Sequence, residues 1–332
     1  MKALRLRSPA PVTDNPLRIE DVAIPVAGPG EILIRVKACG ICHTDLHIVE
    51  GDLVLPKLPI TPGHQVVGRV EQMGAGVQFC HVGDRVGVPW LNTTCGRCEY
   101  CLAGKENLCV EGRFTGFHVD GGFAEHLCVA AEAAYPLPSG FSDISVAPLL
   151  CAGVIGYRAL RMSGITRGER LGLFGFGASA HIALQVARYL GCEVYVFTRG
   201  DHHRRLAEEL GAAWTGTANE RPPRPLQAAV IFAPAGELVP SALEKTGRGG
   251  IVALAGIHMS PIPSMEYSLL YQEKGIRSVA NSTREDVREL LAVAAEIPLR
   301  TEVEIFPWMD ANRALARLKK GEIRGSGVLD MS

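Results

Sequence analysis

The sequence has almost no excess of charge, since 34 Lys and Arg against 35 Asp and Glu give a formal net charge of −1. A near-neutral chain without a basic stripe does not attract nucleic acid or an anionic membrane. The N-terminus lacks the apolar core of a signal peptide, and we see no apolar run long enough to cross a bilayer. We therefore expect a cytoplasmic protein with no nucleic-acid or membrane partner. Its 332 residues suggest two domains.

Cysteine, in contrast, is plentiful: four of the ten lie within residues 95–109. In a reducing compartment their spacing, C-x2-C-x2-C-x7-C, indicates thiolate metal ligands rather than disulfides. Zinc accepts four sulfurs tetrahedrally and then has no open position for chemistry, and an iron–sulfur cluster is the main alternative. We interpret this four-cysteine cluster as a structural zinc site that holds a loop. Its members are Cys95, Cys98, Cys101 and Cys109.

The first 150 residues are typical of short strands and tight turns. Residues 31–37, 66–71 and 123–129 favour strands, and Gly-Asp-Arg-Val-Gly at 83–87 favours a turn. Short strands with frequent Gly and Pro predict a small β-barrel.

Beyond residue 150 strands and helices alternate, which predicts a parallel, doubly wound sheet. The predicted strands are 170–176, 192–197, 228–232 and 250–255, and the predicted helices are 178–190 and 204–210. The pattern shifts again after residue 280, with helices at 284–295 and 310–320 and a last strand at 327–330.

The turn between the first strand and helix of that alternation reads Gly175-Phe-Gly177-Ala-Ser-Ala180. This is G-x-G-x-x-A, a variant of the dinucleotide-binding fingerprint. The first Gly makes the tight turn, the second lets a pyrophosphate approach the backbone, and the helix N-terminus offers free N–H groups. Because the motif follows a strand and opens a helix, we predict nucleotide binding. The alternative is a glycine turn kept for helix–sheet packing.

A second group of metal-binding side chains lies near the N-terminus. Cys42 and His64, with one further ligand, would make a zinc site of the open, catalytic type. Cys151 lies at the boundary of the two predicted domains and is a plausible third ligand. The residue types alone leave open that it is a small core side chain, the commoner role of a lone buried cysteine.

Several motifs occur together and in a fixed order. They are Gly40-Ile-Cys-His-Thr-Asp-Leu-His47, Pro62-Gly-His-Gln-Val-Val-Gly68, the turn at 83–87, the four-cysteine cluster and the dinucleotide turn. Over essentially its whole length the sequence resembles the zinc-dependent alcohol dehydrogenases of the medium-chain dehydrogenase/reductase superfamily. It is most similar to their bacterial and yeast primary-alcohol branch.

The resemblance implies an α/β fold in which a Rossmann doubly wound parallel sheet is inserted in a GroES-like β-barrel catalytic domain. Residues 1–152 and 280–332 would form the catalytic domain, with a structural zinc lobe at about 92–112, and residues 153–279 the cofactor-binding domain.

The same resemblance implies roles for individual residues, and two zinc ions per chain. Cys42, His64 and Cys151 would bind a catalytic zinc, and the four-cysteine cluster a structural one. Thr44 and His47 match a proton relay, and His43 matches a contact to the cofactor pyrophosphate. Asp45 is expected to accept a hydrogen bond from His64. Trp90 matches an aromatic wall that narrows the alcohol pocket.

Two positions depart from the family pattern. Gln65 stands where a glutamate usually follows the ligand histidine, so metal exchange is expected to differ. Near the C-terminus Gly325-Ser326-Gly327 replaces the Gly-Arg whose arginine pairs with pyrophosphate, so that contact is absent or supplied by another group.

The residues after the second strand of the dinucleotide unit predict the cofactor. NAD-specific members carry an acid about 20 residues beyond the glycines, where it binds the ribose hydroxyls. Here that position is Thr198, followed by Arg199, a pair that favours a 2′-phosphate. We therefore predict NADP(H) over NAD(H), with use of both as the alternative.

The function expected is that of an NAD(P)-dependent alcohol dehydrogenase acting on short or medium primary alcohols and their aldehydes. An NADPH-dependent aldehyde reductase for bulkier or aromatic substrates is the second hypothesis. A non-catalytic zinc-binding relic is the third, and the intact Cys42, Thr44, His47, His64 and Cys151 disfavour it. The small-molecule alcohol or aldehyde is the expected partner, and the resemblance suggests a homodimer or homotetramer.

Overall fold

The computed structural model describes all 332 residues, which form two compact units. The first unit comprises Met1–Cys151, Asn281–Ala295 and Thr301–Ser332, and the second comprises Ala152–Ala280 and Glu296–Arg300. The last of these segments falls within the predicted catalytic range 280–332 but packs with the second unit.

The N-terminal part of the chain is mostly strand. Its longest strands bury β-branched and aliphatic side chains such as Ile34 and Val66, as expected for residues with high strand propensity. The strands are β1 (Lys2–Leu6), β2 (Leu17–Asp21), β3 (Glu31–Ile41), β4 (Gln65–Met73), β5 (Arg85–Val88), β6 (Leu91–Thr93), β7 (Arg113–Phe114), β8 (His126–Ala130) and β9 (Tyr135–Pro136). The helices are α1 (His43–Glu50), α2 (Glu99–Leu102) and α3 (Asp143–Val146).

The middle of the chain alternates strand and helix. Its helices are α4 (Ala152–Ser163), α5 (Ala178–Tyr189), α6 (Asp201–Glu209) and α7 (Leu238–Lys245). Its strands are β10 (Arg170–Phe174), β11 (Glu193–Phe197), β12 (Trp214–Gly216), β13 (Leu226–Ile231), β14 (Thr246–Leu254) and β15 (Gly275–Ser278).

The C-terminal part consists of α8 (Arg284–Glu296), β16 (Val303–Pro307), α9 (Ala311–Lys319) and β17 (Ser326–Asp330). Short 3-10 turns lie at Val12–Asp14, Glu106–Leu108, Ala131–Ala133, Ala147–Leu150, Tyr267–Leu269 and Trp308–Asp310.

The first unit is built on a seven-stranded sheet of order β16-β17-β3-β4-β5-β9, with β8 paired to β3. The C-terminal strand β17 lies antiparallel to β3, so the end of the chain completes the sheet begun by the N-terminal part. Two small sheets, β1-β2 and β6-β7, complete the unit. This arrangement brings the segments before α1 and β4 to neighbouring positions, because β3 and β4 pair along most of their length.

The second unit contains six parallel strands in the order β12-β11-β10-β13-β14-β15. Strand order runs outward in both directions from β10, so the carboxyl end of β10 is the switch point where such sheets bind ligands. The predicted fold class, a doubly wound parallel sheet joined to a strand-rich domain, is confirmed.

One apolar stretch, Asp143–Ser163, is long enough by length and composition to cross a membrane, with a mean hydropathy of 1.3. By length and composition, the expectation that no apolar run could cross a bilayer is therefore wrong. In the structure 61% of this window is buried inside the protein, which is typical of a core helix.

Candidate active site

Three side chains from distant parts of the chain meet in the first unit. Cys42 lies between β3 and α1, His64 directly precedes β4, and Cys151 follows the 3-10 turn that ends α3. Their ligand atoms all lie within 4.8 Å of one another, and Cys42 Sγ is 3.3 Å from His64 Nε2. We call these residues the three-ligand cluster; the structure brings together the predicted set.

The helix α1 fixes the cysteine of this cluster. Cys42 is its N-cap, and the Sγ atom accepts a hydrogen bond from the Thr44 backbone N–H at 3.2 Å. The backbone N–H of Cys42 donates to Asp45 Oδ2 at 2.9 Å. The N-cap Cys42 and the third helical residue Asp45 thus form a capping box, in which each side chain accepts a hydrogen bond from the backbone at the helix start.

A buried carboxylate orients the histidine. His64 Nδ1 lies 3.0 Å from Asp45 Oδ1, and both side chains are at most 1% exposed. Asp45 Oδ1 also accepts from the Gly63 N–H at 3.1 Å. Burial raises the pKa of Asp45, although the charge of His64 opposes the shift. Because a carboxylate only accepts, Nδ1 carries the proton and Nε2 presents its lone pair toward Cys42.

The donor set of the three-ligand cluster fits a single zinc ion. A tetrahedral site with usual Zn–S and Zn–N lengths separates sulfur from nitrogen by about 3.6 Å, close to the 3.3 Å between Cys42 and His64. The hydrogen bond from Cys151 lowers the pKa of Cys42 well below its ordinary value, and the same bond raises that of Cys151. Cysteine binds a metal as the thiolate, so a cation held by both sulfurs would displace the thiol protons.

The four-cysteine cluster is a separate group on the loop around α2. Its four sulfurs also lie within 4.8 Å of one another. Cys95 Sγ is 3.9 Å from Cys101 Sγ and 3.5 Å from Cys109 Sγ, and it accepts the Cys98 N–H at 3.3 Å. Hydrogen bonds from the backbone of Arg97 and Cys98 lower the pKa of Cys95 to about 6.

These separations fit one tetrahedral ion, for which Zn–S bonds of usual length give about 3.8 Å between sulfurs. The cysteines of a multi-iron cluster bind different iron atoms and must lie farther apart, so the sulfur positions do not favour an iron–sulfur cluster. None of the ten cysteines forms a disulfide. The loop is also tied to α8, where Arg284 donates to Glu106 through its N–H and to Thr94 through its guanidinium, at 2.8 and 3.1 Å.

An aromatic wall borders the three-ligand cluster. The ring of Trp90 meets the His64 ring edge-on at 4.9 Å and stacks on Phe114 at 5.1 Å, with Phe117 at 5.8 Å. The structure therefore puts Trp90 beside a predicted ligand. Sequence reasoning missed Phe114 and Phe117; the segment Phe-Thr-Gly-Phe just after the cysteine loop was the only signal.

The residues predicted to form a proton relay lie on α1. Thr44 is buried at 8% exposure, and His43 is exposed in the first turn with its ring 6.5 Å from that of His47. His47 Nδ1 lies 2.7 Å from Asp52 Oδ2, a partner that the sequence analysis did not identify.

The two departures from the family pattern are both buried. Gln65 is 1% exposed and packs against Gly40, where an added Cβ would lie 2.8 Å from the Gln65 amide carbon. Any residue other than glycine at position 40 would therefore displace the Gln65 side chain. Ser326 is 5% exposed, and its hydroxyl has no hydrogen-bond partner.

In the second unit the dinucleotide turn follows β10. Gly175 has a φ of +86°, and a Cβ there would lie 2.9 Å from the Ala233 nitrogen, so only glycine fits. Gly177 is the N-cap of α5 without a side-chain cap, and the space beside it is open. Ala180 is fully buried. The open space before an uncapped twelve-residue helix fits a pyrophosphate.

The residues predicted to select the cofactor follow β11. Thr198 is 7% exposed and its N–H bonds to Gly216 O, whereas Arg199 is exposed. Arg204 donates from Nε to Thr198 O at 3.3 Å, which brings a second guanidinium to the end of β11. His202 and His203 lie side by side at 3.9 Å. No carboxylate follows the strand until Asp201.

Comparison with known families agrees with this arrangement. Residues 28–139 match the family model "Alcohol dehydrogenase GroES-like domain", and residues 180–296 match "Zinc-binding dehydrogenase". The probable alcohol dehydrogenase AdhA of Mycobacterium tuberculosis is 48% identical over 99% of this chain and 97% of its own. An alcohol dehydrogenase of Geobacillus stearothermophilus is 38% identical over 95% of this chain and 96% of its own.

Among solved structures, a cinnamyl alcohol dehydrogenase of Sorghum bicolor superposes with a TM-score of 0.89 at 27% identity, covering 98% of this chain and 97% of that one. The two matched domains contain Cys42, His64 and the four-cysteine cluster, and the relatives extend over nearly the whole chain. The chain therefore belongs to the zinc-dependent alcohol dehydrogenases of the medium-chain dehydrogenase/reductase superfamily, and it is an NAD(P)-dependent alcohol oxidoreductase.

Proposed function

We propose that this enzyme interconverts primary alcohols of short or medium length and their aldehydes at the three-ligand cluster. The observation that carries the proposal is the convergence of two thiols and one carboxylate-backed imidazole beside an aromatic ring. Two cysteines and a histidine are the protein ligands of catalytic zinc in alcohol dehydrogenase, which keeps a fourth position for substrate.

Cys42, His64 and Cys151 would hold this catalytic zinc, and the four-cysteine cluster would hold a second, structural zinc. In the first site zinc supplies Lewis acidity, which lowers the pKa of an alcohol oxygen. The second site would contribute folding free energy, because its ligands are assembled only in the folded chain.

The chain's own residues would then handle the proton. Asp45 keeps the His64 ring in the tautomer that presents Nε2. Thr44 would hydrogen-bond the alcohol oxygen and pass its proton toward His47, which would release it to water. The hydride chemistry belongs to the nicotinamide. His43, exposed at the start of α1, is proposed to contact the cofactor pyrophosphate.

Trp90 favours small substrates, because its stacked indole ring would limit the space for a bulky alcohol. A reductase for aromatic aldehydes is the second candidate. It is favoured by the likeness to cinnamyl alcohol dehydrogenase and by the wall of Trp90, Phe114 and Phe117, on which a planar substrate could stack.

For the cofactor we propose NADP(H) in preference to NAD(H). Two guanidiniums, of Arg199 and Arg204, flank Thr198 after β11 in the part of the sheet where an NAD-specific enzyme carries an acid. Arginine binds phosphate through charge-assisted, often bidentate bonds. Burial and the neighbouring His202 lower the pKa of His203, so the two arginines carry the argument for a phosphate.

We also propose that the protein is a cytoplasmic homodimer or homotetramer whose only other partner is the alcohol or aldehyde. The segment between β14 and the edge strand β15 exposes Ile257, Tyr267 and Tyr271, at 58%, 73% and 64%. Exposed apolar side chains near an open strand edge favour association with a second copy. Light scattering after gel filtration would measure the mass, and a monomer would contradict this.

The deciding experiment is cofactor reduction with a panel of alcohols from ethanol to cinnamyl alcohol, run separately with NADP+ and NAD+. We expect turnover of the small primary alcohols at the higher kcat/KM, and a higher kcat/KM for NADP+ than for NAD+. A preference for cinnamyl or benzyl alcohol would favour the second candidate instead.

The double variant Thr198→Asp/Arg199→Ile tests the cofactor preference directly, because it supplies an acid and removes one guanidinium. We expect the kcat/KM ratio of NADP+ to NAD+ to fall by about tenfold, the loss of one phosphate contact. Arg205→Gln, on the exposed side of α6, is the matched control. A wild type that prefers NAD+, or a double variant with an unchanged ratio, would contradict the proposal.

A further inference from the structure

The chain just after α1 folds back over the last turn of that helix. Gly51 has a φ of +84°, and the N–H groups of Gly51 and Asp52 both donate to His47 O, at 3.1 and 3.0 Å. Glycine is favoured at such a left-handed helix end. The turn places the Asp52 side chain against the side chain of His47, five residues earlier.

The contact between these two side chains is short and has a defined direction. Asp52 Oδ2 lies 2.7 Å from His47 Nδ1, with side-chain exposures of 50% and 18%. A carboxylate at neutral pH only accepts hydrogen bonds, so Nδ1 must carry the proton. In the neutral ring the lone pair then lies on Nε2.

The other acid of this helix end is already engaged. Glu50 accepts from Lys319 Nζ at 2.7 and 2.8 Å and from the Val12 N–H at 2.9 Å. Asp52 is thus the carboxylate available to His47. The pair repeats the arrangement of Asp45 and His64, in which a carboxylate bonded to Nδ1–H leaves the lone pair on Nε2.

We propose that Asp52 is a positioning residue of the proton relay: it holds His47 as the Nδ1–H tautomer, so that Nε2 accepts the proton. The inference rests on the proposed relay function of His47. When Nε2 takes the proton, the O–H bond of the donating hydroxyl breaks and an N–H bond forms. The ring becomes a cation facing the Asp52 carboxylate, and the proton then leaves to water, restoring the neutral ring.

The tautomer is measured directly by nitrogen NMR of the zinc-loaded enzyme labelled with 15N-histidine, without cofactor. The His47 signals are assigned by their loss in His47→Gln. We expect the Nδ1–H form in wild type, a mixed or Nε2–H ring in Asp52→Ala, and recovery of the Nδ1–H form in Asp52→Glu. An Nε2–H ring in wild type, or no change in Asp52→Ala, would overturn the proposal.

Kinetics in a double-mutant cycle test the consequence. Asp52→Ala should lower kcat by about threefold to fivefold, the effect expected of a partly exposed ion pair, and Asp52→Glu should restore part of it. In the His47→Gln background Asp52→Ala should have no effect. Glu50→Gln, which removes the neighbouring carboxylate, is the control and should leave kcat unchanged.

The outcomes separate this inference from the function on which it rests. An Asp52→Ala loss that persists in His47→Gln would overturn the positioning role, since Asp52 would then act elsewhere. If His47→Gln itself does not lower kcat, the proposed relay is wrong, and with it the part of Asp52 in that relay. The NMR result would still show whether Asp52 sets the tautomer of His47.

Discussion

The three-ligand cluster and the four-cysteine cluster are two groups of side chains in the first unit that could each hold a metal ion, but they are held in different ways. Cys42, His64 and Cys151 come from separate parts of the chain. The elements on either side of Cys42 are anchored in the core, since Ile41 at the end of β3 and Asp45 on α1 are buried. The four cysteines come from one fifteen-residue loop in which α2 has no buried residue and only Asn107 and Cys109 are buried. We therefore expect the three-ligand cluster to keep its geometry without metal, and the loop of the four-cysteine cluster to depend on its metal for stability.

The largest effect should follow from breaking the three-ligand cluster. Cys151→Ala removes one thiolate, so turnover should fall about a thousandfold or more as a Lewis-acid contribution of several kcal/mol is lost. The melting temperature should change little, because the packing around Cys151 comes from the core. Activity, zinc content and thermal melts measure this together.

The matched control is Cys128→Ala, a cysteine on β8 outside both clusters, which should keep two zinc ions and full activity. A Cys151→Ala variant that is active and keeps its full zinc content would show that Cys151 is not a ligand. The contrast between the two clusters would then no longer hold.

Breaking the four-cysteine cluster should affect stability instead. Cys98→Ser removes one of four ligands from a loop with little core of its own, so we expect the melting temperature to fall by about 10 °C, a shift typical of a few lost interactions in a domain of this size. Activity per folded molecule should persist at low temperature. A Cys98→Ser protein that melts like wild type would show that contacts such as Arg284 with Glu106 suffice to hold the loop.

A smaller effect should distinguish the clusters by their surroundings. Asp45→Asn keeps the size of the side chain but removes the charge that fixes the His64 ring, so zinc affinity at the three-ligand cluster should drop about 10- to 100-fold. The four-cysteine cluster has no such carboxylate and should keep its zinc. Competition with a chelator measures the two affinities in one titration. Equal losses at both clusters would indicate general destabilisation rather than an effect on one ring.

The same contrast explains what the sequence could predict. The four-cysteine cluster is local, so spacing alone indicated its ligands, and β10, the glycine turn and α5 were likewise contiguous and periodic. Cys151 could only be called plausible from residue types, because its approach to Cys42 depends on how the 3-10 turn Ala147–Leu150 packs against β3 and β4. Family resemblance, not local pattern, selected it.

Other elements were missed for identifiable reasons. The helix α1 is eight residues long and is capped by Cys42 rather than by the usual Ser, Thr, Asp or Asn, so no start signal was present. The strands β12 and β15 have three and four residues, too few for a period to show. Phe114, Phe117 and Asp52 act through contacts that only the folded chain creates.

Among the variants that compare the two clusters, the smallest effect is expected for the aromatic wall beside the three-ligand cluster. Trp90 lies edge-on to His64, so Trp90→Ala should open space beside the proposed substrate position and raise kcat/KM for benzyl alcohol relative to ethanol by about tenfold, the range expected for a change in an apolar pocket. Phe79→Ala, which removes a 61% exposed ring of the same unit, is the control and should leave the ratio unchanged. Because Trp90 also stacks on Phe114, the variant should melt at a lower temperature, and the ratio of two substrates on one preparation cancels any loss of folded enzyme. An unchanged ratio would mean that Trp90 supports His64 but does not limit substrate size, and the two clusters would then differ only in how they are held.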